Sequence, residues 1–191
     1  MRTAPGKYLI EKTRPLACED RALSWLLTIS TLLLMLVFLA GTIWNFHWTG
    51  KLVCSVAFAL LAGRMFVIYH DHQHRAILTK SVAADVLMTL YGLYMLAPAS
   101  IWKRSHNYHH KNNSKLFSSS IGSYPIMTVQ KFIIATPAEQ RSYLLVRHPV
   151  TILLGYLTMF AWGMCIGSFL VNPRKHIDSL FAILLHICAY V

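Results

Sequence analysis

The sequence predicts an all-α integral membrane helical bundle whose histidine-rich helix ends lie on the cytoplasmic side. Three observations carry this expectation. Hydrophobic residues make up 55% of the 191-residue chain and charged residues 13%, with a mean hydropathy of +0.47. That is too little charge to cover a water-facing surface. Uncharged apolar runs of about 20 residues recur, and at 1.5 Å per residue each is long enough to cross a ~30 Å hydrocarbon core. Five of the ten histidines fall three or four residues apart in two clusters, the spacing that brings side chains to one face of an α-helix.

Residues 1–23 are polar and of mixed charge, with Glu11, Glu19 and Asp20 among the basic residues. The stretch is too long and too acidic for the leading part of a signal peptide, and it reads as a short cytoplasmic N-terminal tail. Residues 24–44 are uncharged, with Trp25, Trp44 and Trp48 near the ends, as interfacial aromatics sit. A short loop, 45–51, leads to a second span over 52–69 that runs directly into His70. Arg64 is its one charge, placed to snorkel to the interface.

Residues 82–101 are long enough to span, yet a full crossing would put the two histidine clusters on opposite faces, more than about 30 Å apart. Asp85, Gly92 and Pro98 also interrupt the run. A helix lying in the interface, or entering and returning on one side, is expected here. Beyond the second cluster, Ser118, Ser119, Ser120, Gly122 and Pro125 mark a turn-rich loop. Thr136 and Pro137 have the residue types of a helix N-cap and first position. Residues 150–171 read as a further span, 172–175 as a short turn, and 177–191 as the start of another apolar helix.

The formal charge of +11 is explained by the positive-inside rule and anionic lipid. No basic tract with interleaved aromatics points to nucleic acid. Most Lys and Arg lie in the tail and between Arg75 and Arg147, while the opposite loops hold Lys51, Arg174 and Lys175. This bias places the N-terminus and both clusters in the cytoplasm. The cysteines, Cys18, Cys54, Cys165 and Cys188, form no close pair, and no disulfide framework is expected.

The clusters are His70-Asp71-His72-Gln73-His74 and His106-Asn107-Tyr108-His109-His110. On a helix His70 and His74 share a face, and so do His106, His109 and His110. Convergent imidazoles suit iron, zinc or copper. The absence of cysteine disfavours iron–sulfur clusters and Cys-rich zinc sites. His72 is turned about 200° from His70 and should point elsewhere. Asp71 and His72 are candidates for support behind the ligands, Asp71 as acceptor of an imidazole N–H. The isolated histidines His47, His148, His176 and His186 are read first as structural, and His186, which lies within an apolar segment where an ionisable group is a functional candidate, is left unassigned.

HDHQH at the end of a second span is an H-x-x-x-H box, and HNYHH about 30 residues later is an H-x-x-H-H box. The pair, in this order and beside apolar helices, resembles the membrane fatty-acid desaturase family. The surroundings of the first box, YHDHQHRAIL, are similar to its acyl-lipid branch. The resemblance implies a desaturase domain over 24–191 and a cytoplasmic di-iron centre with His70, His74, His106, His109 and His110 as iron ligands. It also implies O2 as co-substrate, a membrane lipid or acyl substrate, and electrons from a ferredoxin or a b-type cytochrome. A third histidine box, usual in the family, has no match here, so the chain is expected to be the N-terminal part of a desaturase. The alternatives are a histidine-box hydroxylase or ketolase acting on a carotenoid, sterol or alkane, and a membrane protein that binds metal without O2 chemistry.

Overall fold

The structure, a computed structural model, describes residues 5–45, 47–112 and 126–190, and every described element is helical. The expected turn-rich loop at Ser118–Pro125 lies outside the described residues. The chain divides into two compact units, Met1–Met88 and Thr89–Val191.

In the first unit, α1 (Pro5–Thr13) and a 3-10 turn (Arg14–Ala17) precede α2 (Arg21–Ile43) and α3 (Trp48–Gln73). The Asp20 carboxylate caps α2 by accepting the Leu23 N–H at 3.0 Å, which answers one of the orphan donors of a helix start. The buried hydroxyls of Thr28 and Thr31 donate to the carbonyls of Ser24 and Leu27, at 2.7 and 2.6 Å, so neither adds an unsatisfied polar group inside the bilayer. The helices α2 and α3 are each long and apolar enough to cross a membrane. Leu26, Leu33, Val37 and Leu60 are exposed, and lipid rather than water is the solvent that such faces suit.

A close approach joins the two spans. A Cβ on Gly41 would lie 2.6 Å from Cys54 Sγ and 3.3 Å from its Cβ, so the small residue lets the backbones meet. Gly41→Ala is expected to lower stability by about 1–3 kcal/mol through overpacking. Adding Cys54→Ala should return most of the loss, as read from thermal melting in detergent. The cysteine is therefore a packing residue, and the four cysteines are all free.

After α3 the chain turns through Arg75, Leu78 and Lys80, all with left-handed φ of 50–59°. Such a conformation is costly for residues with a Cβ and persists only where the surroundings hold it. Here the N-terminal segment holds it. Glu19 Oε1 accepts the N–H of the fully buried Leu78 at 2.6 Å, and Arg21 Nη1 donates to the Thr79 carbonyl at 3.0 Å.

α4 (Val82–Tyr94) ends where Leu96 takes φ 53°, and α5 (Ala99–Lys111) restarts after Pro98 with an 88° bend. Residues 82–101 are thus broken rather than one straight helix. Among the described residues there are two helices fit to span a membrane, or three if this bent pair counts as one.

The second unit continues with α6 (Val129–Ile134), α7 (Pro137–Arg147) and α8 (Pro149–Leu153). Thr136 caps α7, its hydroxyl and backbone N–H exchanging bonds with Glu139 as a capping box. The Thr136 N–H, and then its hydroxyl, hold the Glu139 carboxyl below the usual carboxylate range. Because the folded value is depressed, this contribution is present above the ordinary carboxylate range and lost as pH falls through the folded value. Thr136→Ala should cost about 1 kcal/mol, seen as faster amide exchange in the first turn of α7.

Residues 150–171 differ from the expected single span. α8 stops at Leu154, a 12-residue π-helical stretch runs from Tyr156 to Gly167, and α9 (Ser168–Val171) follows. Long π stretches are rare and sit close to functional or strained positions. α10 (Ile177–Tyr190) completes the unit.

Charge counting put residues 75–147 and the turn with Arg174 and Lys175 on opposite faces. At Ser100 the structure joins the two stretches locally. The Ser100 N–H and Oγ–H donate to Asp178 at 3.0 and 2.6 Å, and Oγ lies 2.9 Å from His176 Nδ1. The first turn of α5 therefore lies beside the turn that precedes α10.

Candidate metal centre

The first histidine pair comes from the end of α3. His70 is in the last turn and His74 is the C-cap, its N–H donating to the His70 carbonyl at 3.1 Å. Because the helix continues without interruption to Gln73, the i, i+4 spacing holds and the rings meet edge to face, centroids 4.5 Å apart. His70 Nδ1 lies 2.8 Å from Asp71 Oδ1. A carboxylate only accepts, so Nδ1 carries the proton and Nε2 keeps a lone pair for a metal.

His72 turns away, as the helical wheel requires. Its side chain is almost buried, and Nε2 lies 3.2 Å from Asp85 Oδ1. That contact ties the last turn of α3 to the first turn of α4, a structural use of the middle histidine.

The second pair comes from the last turns of α5. His106 and His110 meet edge to face with centroids 4.5 Å apart, and their Nε2 atoms are 2.9 Å apart. Two imidazole lone pairs at that separation repel unless a proton or a cation lies between them. Two cis ligands at 90° on a metal with bonds of about 2.1 Å would stand about 3.0 Å apart, so the pair has the bite of a chelate. His109 is exposed on the same helix, its ring 6.2 Å from His106 and 5.9 Å from His110. It stands at the edge of the pair, since one residue's step of about 100° separates it from His110.

Trp102 is a positioning residue that the histidine pattern did not reveal. It is buried and stacks on His106 with centroids 4.5 Å apart and planes 18° from parallel. The i, i+4 spacing of Trp102 and His106 was the available signal.

The four isolated histidines have structural partners. His47 Nδ1 lies 3.0 Å from Thr49 Oγ1, and His148 Nδ1 accepts the Val150 N–H at 3.3 Å. His186 Nε2 lies 2.8 Å from the Tyr156 hydroxyl, and His176 pairs with Ser100. Burial, partly offset by Asp178 and reinforced by Arg104 and Lys175, lowers the pKa of His176. A lowered folded value means that its contribution to stability is present above about pH 6.5 and is lost as pH falls through the folded value.

No family model matches the chain, and no solved structure matches it. The chain is similar to a protein named fatty acid desaturase from Bacillus subtilis (strain 168), 29% identical over 124 residues. The match covers 64% of this chain and 35% of that protein, so the chain spans about a third of the length of the curated relative it matches. Together with apolar helices fit to cross a bilayer, it makes this a membrane protein, and as a partial match it supports the fatty acid desaturase family.

Proposed function

We propose that the chain carries part of a membrane fatty acyl desaturase, in which His70, His74, His106 and His110 share one histidine-ligated iron centre. The observation that carries this reading is the paired-imidazole geometry: two i, i+4 pairs with equal ring separations of 4.5 Å. The similarity to a fatty acid desaturase favours iron among the metals that imidazole suits. His109, at the edge of the second pair, is the fifth proposed ligand. Five imidazoles do not fill two iron coordination spheres, so the di-iron form of the proposal requires further ligands beyond these.

When bound, iron supplies the O2 activation that acid–base groups cannot, removing two hydrogens from adjacent unactivated acyl carbons. The overall step consumes O2, two electrons and two protons and releases two waters with the alkene. The proposed electron donor is a ferredoxin or a b-type cytochrome. The chain's own residues prepare the centre. Asp71 keeps the His70 proton on Nδ1, Trp102 holds the plane of the His106 ring, and His72 with Asp85 fastens the helix end that presents His70. The lipid-facing spans bring the site to where acyl chains reside. The proposed orientation is multi-pass with the histidine pairs in the cytoplasm.

The test is product analysis by gas chromatography and mass spectrometry, using iron-loaded protein, an acyl lipid, O2 and a reducing system. An alkene product supports desaturation. A hydroxylated product without alkene would overturn it in favour of a hydroxylase.

A further inference from the structure

The second unit holds a cavity of about 380 Å³ with Ile101 and Arg104 of α5 on one side and Val171, Asn172, Lys175 and His176 on the other. None of these residues belongs to the proposed metal site. Two features give it a chemical character. Arg104 and Lys175 both line it, and among the described residues neither forms an ion pair. Both cations also act electrostatically on His176, which lines the same cavity, and a guanidinium with an ammonium suits a phosphate group.

The hydrogen bonds around His176 supply the second feature. Ser100 Oγ gives its one proton to Asp178 Oδ1 at 2.6 Å. It can then only accept at 2.9 Å from His176 Nδ1. His176 is held in the tautomer with the proton on Nδ1, which leaves Nε2 as an acceptor on a buried residue that lines the cavity. A ligand that places an anionic phosphate on the two cations and a hydroxyl on Nε2 would satisfy all three. Val171, which lines the cavity, is 86% exposed, and Leu170, Ile177 and Phe181 of α9 and α10 are exposed as well, apolar surface that suits acyl tails.

We propose that this cavity binds the phosphate of an anionic, hydroxyl-bearing headgroup of a glycerophospholipid, through Arg104, Lys175 and His176. The site is independent of the histidine pairs, so its test is a binding measurement that needs neither iron nor activity. The full chain, in neutral detergent and metal-free buffer, is titrated by calorimetry with short-chain phosphatidylglycerol, short-chain phosphatidylcholine and inorganic phosphate.

Phosphatidylglycerol is expected to bind at least about tenfold tighter than phosphatidylcholine. The preference should fall about tenfold in Arg104→Gln/Lys175→Gln and be kept in Arg104→Lys/Lys175→Arg. Inorganic phosphate binding as tightly as phosphatidylglycerol, with the same dependence on the two cations, would overturn the lipid as the source of the phosphate. No anion binding by the wild-type chain would overturn the proposal, as would equal binding by Lys175→Gln, a change on an exposed turn that leaves the core intact.

Discussion

Alanine at both His106 and His110 is expected to lower Fe(II) affinity by well over a hundredfold, because it removes two ligands of the proposed centre. Asp71→Ala is expected to cost less, roughly 10–100-fold, the range for losing a group that orients a ligand. A competition titration with a chromophoric chelator reads both. The ordering is the informative part. Asp71 touches His70 through Nδ1 at 2.8 Å and acts only by fixing its tautomer. An Asp71→Ala loss equal to that of the double histidine variant would mean that the carboxylate itself binds metal. No loss in the double histidine variant would remove α5 from the site.

The second large effect is expected at Asp178. Its carboxylate accepts both the N–H and the Oγ–H of Ser100, across 78 residues of chain. Asp178→Ala leaves both part-buried donors without their acceptor, at a cost of about 2–4 kcal/mol for charge-assisted bonds. For a chain of this size that corresponds to a melting temperature lower by about 4–16 °C. Adding Ser100→Ala removes one of the stranded donors, and the double variant should melt above Asp178→Ala alone. A double variant that shows simple addition of the two losses would mean that Ser100 and Asp178 stabilise the fold separately.

Much of this architecture was legible because it is local. The boxes could be read because spacings of three and four map onto one helix face, and α3 does continue unbroken through His70 to Gln73. The interruption of residues 82–101 was signalled by Pro98, and the break falls there. Its sharpest feature, the left-handed Leu96, was not legible, since leucine has no preference for that conformation. The break at Leu154 and the π stretch from Tyr156 to Gly167 lie in a uniformly apolar run, which gives no local signal of how the backbone winds.

What the sequence hid most completely is long-range. Glu19 reaches Leu78 across 59 positions, and Ser100 reaches His176 across 76. Nothing in either residue's neighbourhood announces the partner. His176 therefore carried only the structural reading of an isolated histidine. Its bond to Ser100 agrees with that reading, and its place on the cavity wall adds a role that spacing could not show. The contact at Ser100 was hidden for a related reason, since counting Lys and Arg assigns a segment to a face without saying how deep its ends reach.

Whether the two histidine pairs hold iron is read from the iron content of the purified full chain after anaerobic loading with Fe(II) and removal of loose metal, measured by plasma mass spectrometry. At least about one iron per chain is expected, with near-complete loss when His70, His74, His106 and His110 are all replaced by alanine. A folded wild-type chain that retains no iron, or a fourfold variant that retains as much as the wild type, would contradict this expectation.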